Sequence, residues 1–346
     1  MKTSIWRKVA IWASLLIGLA SVAQASEYGL SVRRPQSSVG SVSPAVPSGQ
    51  PAVEERKRQD GICTKCHDET ETKPILAIYQ TPHGVSSDGR TPSCQACHGE
   101  SKKHLGGNVD GTGRPPPDMV FGTNKRTTAG FVPNDHEAQS ETCLNCHKAG
   151  MRMRWPGSQH QANDLTCANC HPVHNAKDPV LVKDQQPAVC FTCHKEQRAQ
   201  IKQISAHPID ANKLVCSDCH NPHGSPGPKL LAKNTVNETC FTCHAEKRGP
   251  FLWEHQPATE ECTNCHTPHG SNITPLLKSR APFLCDECHD GPHVSTQVAG
   301  PSVTGLQGGG VAAGGNPSTL MVGRACMNCH VMVHGSNSPA GAFLQR

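Results

Sequence analysis

Cys216-Ser217-Asp218-Cys219-His220-Asn221-Pro222-His223 places two cysteines three apart, a histidine directly behind them and a second histidine three residues further on. The first five residues form the C-x-x-C-H signature of covalent c-type haem attachment. Each thiol adds across one porphyrin vinyl group, and the adjacent histidine then lies under the ring as the proximal iron ligand. The signature occurs ten times and uses every one of the 20 cysteines: Cys63/Cys66, Cys94/Cys97, Cys143/Cys146, Cys167/Cys170, Cys190/Cys193, Cys216/Cys219, Cys240/Cys243, Cys262/Cys265, Cys285/Cys288 and Cys326/Cys329. The proximal histidines are His67, His98, His147, His171, His194, His220, His244, His266, His289 and His330.

Paired C-x-x-C units also build structural zinc sites, but zinc does not require a histidine after every second cysteine. With 21 histidines in 346 residues, ten such placements by chance have a probability on the order of one in a million million. A disulfide framework is disfavoured because no cysteine lies outside the motif. Ten covalent haems with bis-histidine iron are therefore the expected cofactors.

The N-terminus reads as an export signal. Lys2, Arg7 and Lys8 precede an apolar run over residues 9–22, and Ala23-Gln24-Ala25 offers a small-residue cleavage site, so residues 1–25 are assigned as a signal peptide. The apolar run is short for a bilayer span. Residues 26–60 are rich in Ser, Pro, Val and Gln and read as a flexible tail. Residues 61–346 form the decahaem domain.

Aromatics make up 4 % of the chain, against 31 Gly and 28 Pro, which is poor material for an ordinary core. Ten porphyrins would supply the missing apolar surface. The expected fold is a loop-rich multihaem cytochrome c, with short α-helices and turns wrapped around a linear chain of ten haems and little β-sheet. The formal charge of +5 includes the three cations of the signal. Without them, and with about −1 for each ferric haem, the holoprotein comes to roughly −8. No basic run interleaved with aromatics is present, so nucleic acid is excluded as a partner.

Repetition organises the remainder. From His147 to His289 the proximal histidines are separated by 24, 23, 26, 24, 22 and 23 residues. Two kinds of motif alternate. In one kind a histidine precedes the cysteines and another follows, as in His160…Cys167…His174; the other kind is bare, as at Cys190 and Cys240. Two haems per repeat of roughly 47 residues, stacked in one dimension, are expected. Longer segments near residues 106–133 and 300–323 read as surface loops.

Eleven histidines lie outside the motifs, one more than ten irons need: His83, His104, His136, His160, His174, His207, His223, His255, His269, His293 and His334. The seven methionines show no matching periodicity. Iron held by two histidines has no open position for substrate, which points to electron transfer and not to an enzyme.

Beyond the ten motifs, several segments resemble the decahaem cytochromes of outer-membrane porin–cytochrome conduits, the MtrA, MtoA and PioA group (DmsE-type). They are Gln80-Thr81-Pro82-His83-Gly84, Val173-His174-Asn175-Ala176-Lys177-Asp178-Pro179-Val180-Leu181, His244-Ala245-Glu246-Lys247-Arg248-Gly249-Pro250, Leu252-Trp253-Glu254-His255 and Val333-His334-Gly335-Ser336-Asn337. The resemblance implies a periplasmic protein threaded into an outer-membrane β-barrel porin. It would pass electrons between periplasmic or inner-membrane cytochromes and an extracellular cytochrome or mineral, in iron oxidation or metal reduction. It also implies His83, His104, His160, His174, His207, His223, His255, His269, His293 and His334 as distal ligands, with His136 the spare. A free periplasmic shuttle or a multihaem reductase is the alternative. The tail before Cys63 departs from the family pattern.

Overall fold

One helical turn is the unit from which the structure is built. In C-x-x-C-H the two cysteines stand three apart, so a single turn brings them to one face. The histidine amide then bonds back to the first cysteine carbonyl, as in His67 to Cys63 (3.1 Å), His171 to Cys167 (2.9 Å), His220 to Cys216 (2.9 Å) and His330 to Cys326 (2.9 Å). Short caps hold these turns. Ser93 accepts the Ala96 amide at the start of Cys94–His98, and Thr166 with Asn169 forms a capping box at Cys167–Cys170.

The computed structural model describes residues 50–71, 73–85, 89–107, 113–123, 125–127, 129–289, 326–339 and 341–344, which all fall in the unit Pro47–Arg346. Among them, helices are short and no sheet forms. The only strand-like pairings are the isolated bridges Ser205–Ser271, His220–Leu231, Trp253–Ser336 and His266–Leu277. The expected loop-rich cytochrome architecture is what the chain adopts. Buried apolar side chains are few: Val120, Trp155, Ile201 and Val215. Buried polar ones outnumber them, with Gln139, Ser140 and Ser336 almost wholly enclosed. Such an interior is held by directed hydrogen bonds and lacks a hydrocarbon core of its own.

Polar side chains ahead of one motif clasp the start of the next. Asp60 accepts the Cys94 amide (2.9 Å), Gln186 accepts the Ser217 amide (3.0 Å) and Asn237 accepts the Cys262 amide (2.7 Å). Two glycines permit close approach between repeats. A Cβ on Gly224 would collide with the Arg154 carbonyl oxygen, and one on Gly270 would collide with that of Gln200.

Two differences from the sequence reading concern boundaries. The helix Gln50–Cys63 begins inside the segment assigned to the flexible tail. It is anchored by the buried pair Arg56–Asp60 (3.1 Å), whose carboxylate also receives Cys94. The segment near 106–133 is more than a surface loop. Val120 is buried, and the Pro115 and Met119 carbonyls accept the Nδ1 protons of His104 (2.7 Å) and His98 (3.0 Å). The signal peptide, the rest of the tail and the segment 300–323 lie outside the described residues.

Candidate haem sites

The local turn sets the two thiols and the proximal histidine of each motif; the partner of that histidine comes from elsewhere in the chain. Nine proximal rings each face one non-motif ring at centroid separations of 5.9 to 6.4 Å. The pairs are His67–His104, His98–His174, His147–His83, His171–His223, His194–His160, His220–His269, His244–His207, His266–His334 and His289–His255. An imidazole nitrogen binds a first-row metal at about 2 Å, so two rings trans across one metal have centres roughly 6 Å apart. The observed spacing fits an iron between them.

One rule covers all of these pairs but His67–His104, whose proximal motif has no histidine ahead of it. The histidine after a two-histidine motif reaches back to the preceding motif of that kind, as His223 does to His171, His269 to His220 and His334 to His266. The histidine before such a motif reaches forward to the next bare motif, as His160 does to His194, His207 to His244 and His255 to His289. The two reaches interlock through the backbone. Nδ1 of His160 donates to the Pro222 carbonyl (2.8 Å), that of His207 to Pro268 (2.5 Å) and that of His255 to Val333 (2.8 Å). Each acceptor is the residue just before a back-reaching histidine.

Proximal rings are braced in the same way. Nδ1 of His220 donates to Lys229 (3.0 Å), of His266 to Pro275 (2.9 Å) and of His330 to Phe343 (2.5 Å). The residue after each acceptor is a leucine with positive φ: Leu230 (59°), Leu276 (57°) and Leu344 (53°). A leucine seldom adopts that backbone, and here it accompanies a carbonyl turned onto a histidine. The sequence reading missed these leucines and Asp178, which stands 2.6 Å from Nδ1 of His171. A Leu recurring ten or eleven residues after the motif histidine, as at Leu181, Leu230, Leu231, Leu276 and Leu277, was the available signal.

With Nδ1 engaged, Nε2 is the nitrogen left for a metal. Burial holds the imidazoles of His98, His147, His220, His223, His269 and His334 below the usual histidine range, which favours the neutral form that ligates. Among the described residues, His136 faces no histidine; its Nδ1 lies 3.5 Å from Asp164. His293 lies outside the described residues. Among the described residues, no cluster of three or more Cys, His, Asp or Glu side chains is gathered as a zinc site would need.

Turns of successive motifs pack against one another: Gln50–Cys63 on Cys94–His98, His136–Leu144 on Cys167–Cys170, Gln186–Cys190 on Cys216–Asp218 and Val236–Cys240 on Cys262–Asn264. The thiols of Cys97, Cys170 and Cys265 are pushed up first by burial and further by Cys146, Cys193 and Cys288, respectively, and that of Cys219 by burial and then by Cys240. The motifs therefore follow one another in space in their chain order.

Cys66 and Cys329, the second cysteines of the first and last motifs, are exposed and free of a disulfide, as are Cys146, Cys193, Cys219, Cys243 and Cys288. Their backbone follows the common turn, with the Cys66 amide bonded to the Cys63 carbonyl and the Cys329 amide to that of Cys326, both at 3.1 Å.

Comparison with known proteins identifies the kind of motif. The doubled CXXCH motif family matches residues 207–249 and 255–293, and the cytochrome c-type protein NrfB-like family matches residues 94–187. The chain is 43 % identical over 291 residues to a protein of Shewanella baltica (strain OS185) described as multiheme cytochrome MtrA; the match covers 82 % of this chain and 80 % of that protein. The motifs are thus attachment sites for covalent c-type haem.

Proposed function

The chain belongs to the MtrA-type multihaem cytochromes, and from that premise we propose that it conducts electrons across the outer membrane inside a porin-like β-barrel. It links periplasmic carriers to an extracellular donor or acceptor such as iron. The observation that supports this reading most is the packing of successive motif turns, from Gln50–Cys63 on Cys94–His98 to Val236–Cys240 on Cys262–Asn264, with nine proximal histidines each facing a non-motif histidine. Covalently bound haem supplies reversible one-electron exchange between ferric and ferrous iron.

The chain's own residues do the rest. The 20 cysteines, Cys66 and Cys329 at the ends included, tether ten groups, and the ten motif histidines hold the proximal side. The distal side is held by the histidines that face them: His104, His174, His83, His223, His160, His269, His207, His334 and His255, in the order of the pairs above. For His330 we assign His293, the non-motif histidine that remains once His136 is set aside. Occupying both axial positions leaves no place for substrate, so the residues favour conduction over catalysis.

Among the described residues, no helix is long and apolar enough to cross a membrane. The backbone is loop-rich, and its polar groups would go unsatisfied against lipid. A closed barrel can enclose it. The export signal directs the chain to the periplasm, where the barrel partner draws it to the outer membrane.

Fractionation with intact-mass analysis tests the proposal. The cytochrome should co-purify from outer membranes with a large β-barrel protein, at a mass equal to residues 26–346 plus ten haems. Recovery wholly in the free periplasmic fraction would favour a shuttle, and a mass short of ten haems would contradict the site assignment.

A further inference from the structure

The repeats supply their own comparison at the proximal histidine. His220 and His266 each donate Nδ1 to a backbone carbonyl nine residues on, Lys229 and Pro275, followed by a leucine in the left-handed region. His171 departs from that pattern. Its Nδ1 donates to a carboxylate, Oδ2 of Asp178, at 2.6 Å, and its loop has no residue of positive φ. The residues in register with Asp178 are Gly227 and Ile273, neither of which carries a charge. Asp178 is itself held, since Oδ1 accepts the Val180 amide at 3.1 Å and starts the turn Pro179–Leu181.

Other carboxylates near proximal rings are more open to water. Glu71 lies 3.0 Å from Nδ1 of His67 with both side chains 38 % exposed, and Glu246 is 3.8 Å from that of His244 with both more than half exposed. Asp178 and His171 are 23 % and 30 % exposed, so solvent screens their contact less. On the opposite face, His223 stacks at 6.0 Å and 12°, and its buried Nδ1 has no hydrogen-bond partner. Among the described residues, Asp178 is thus the hydrogen-bonding carboxylate at this site.

We infer that Asp178 is a positioning residue that lowers the reduction potential at the His171–His223 site below that of the sites at His220 and His266. A carboxylate accepting the Nδ1 proton makes the imidazole a stronger donor and so stabilises ferric over ferrous iron. One electron arrives from a neighbouring site and leaves to the other neighbour, with no proton or second reactant required. The inference rests on His171 and His223 being axial ligands, as proposed above.

The experiment uses the full holoprotein with Asp178→Asn, Asp178→Glu and Glu71→Gln, in redox titrations followed by haem absorbance and electron paramagnetic resonance. Asp178→Asn should retain ten low-spin haems and move one component to higher potential. Asp178→Glu should return it towards the wild-type position, and Glu71→Gln should move its own component less. A titration of Asp178→Asn that superimposes on wild type would overturn the inference. So would loss of haem or of low-spin character in that variant, which would make Asp178 a structural holder only. His171→Ala separates the two readings: if it leaves all ten haems low-spin, the ligand assignment fails instead.

Discussion

At a histidine whose Nδ1 is held by a backbone carbonyl, Nε2 faces the metal and the ring cannot turn away without breaking that bond. His223 lacks such a brace, and its place opposite His171 is fixed by packing. His223→Ala should therefore convert one haem of the ten to five-coordinate, high-spin iron, while His136→Ala should leave the spectrum unchanged, because His136 faces Asp164 and no ring. Absorption and magnetic resonance spectra of the two holoproteins check this. A high-spin signal from His136→Ala would reverse the assignment. Proximal residues were legible because a cysteine, its partner and the histidine act within one turn. Which distal ring meets which proximal ring was not, since His174 lies 76 residues from His98 and is braced by Ile75, 99 residues before it. No local pattern carries that information.

Elements here are single turns joined by side-chain clasps, so their stability depends on few bonds. Asn237, almost fully buried, accepts the Cys262 amide and donates to the Ala258 and Thr259 carbonyls. Asn237→Ala strands these groups and should cost about 1–3 kcal/mol. The loss should appear in denaturant unfolding of the holoprotein, with the haem count intact; an unchanged midpoint would show that the clasp is dispensable. Short helices and absent sheet could be read from the glycine, proline and motif content. The helix Gln50–Cys63 could not, because the feature that fixes it, Asp60 reaching Cys94, joins residues 34 apart behind a stretch that reads as tail.

For the whole molecule, each two-histidine motif reaches back to one neighbour and forward to another, so removing a repeat would orphan ligands on both sides. Among the described residues, that interlock and the packing of successive motif turns order the sites in a series. A series of this kind suits passage from end to end. Its loop-rich backbone is unsuited to lipid, so on the conduit proposal a partner barrel would supply the enclosing surface. The measurement that tests conduction most directly uses liposomes holding an internal redox dye, with an external donor or acceptor, and the cytochrome and barrel supplied singly and together. Dye oxidation or reduction should occur only when both proteins are present. Equal rates with the cytochrome alone, or none with the pair, would contradict the conduit.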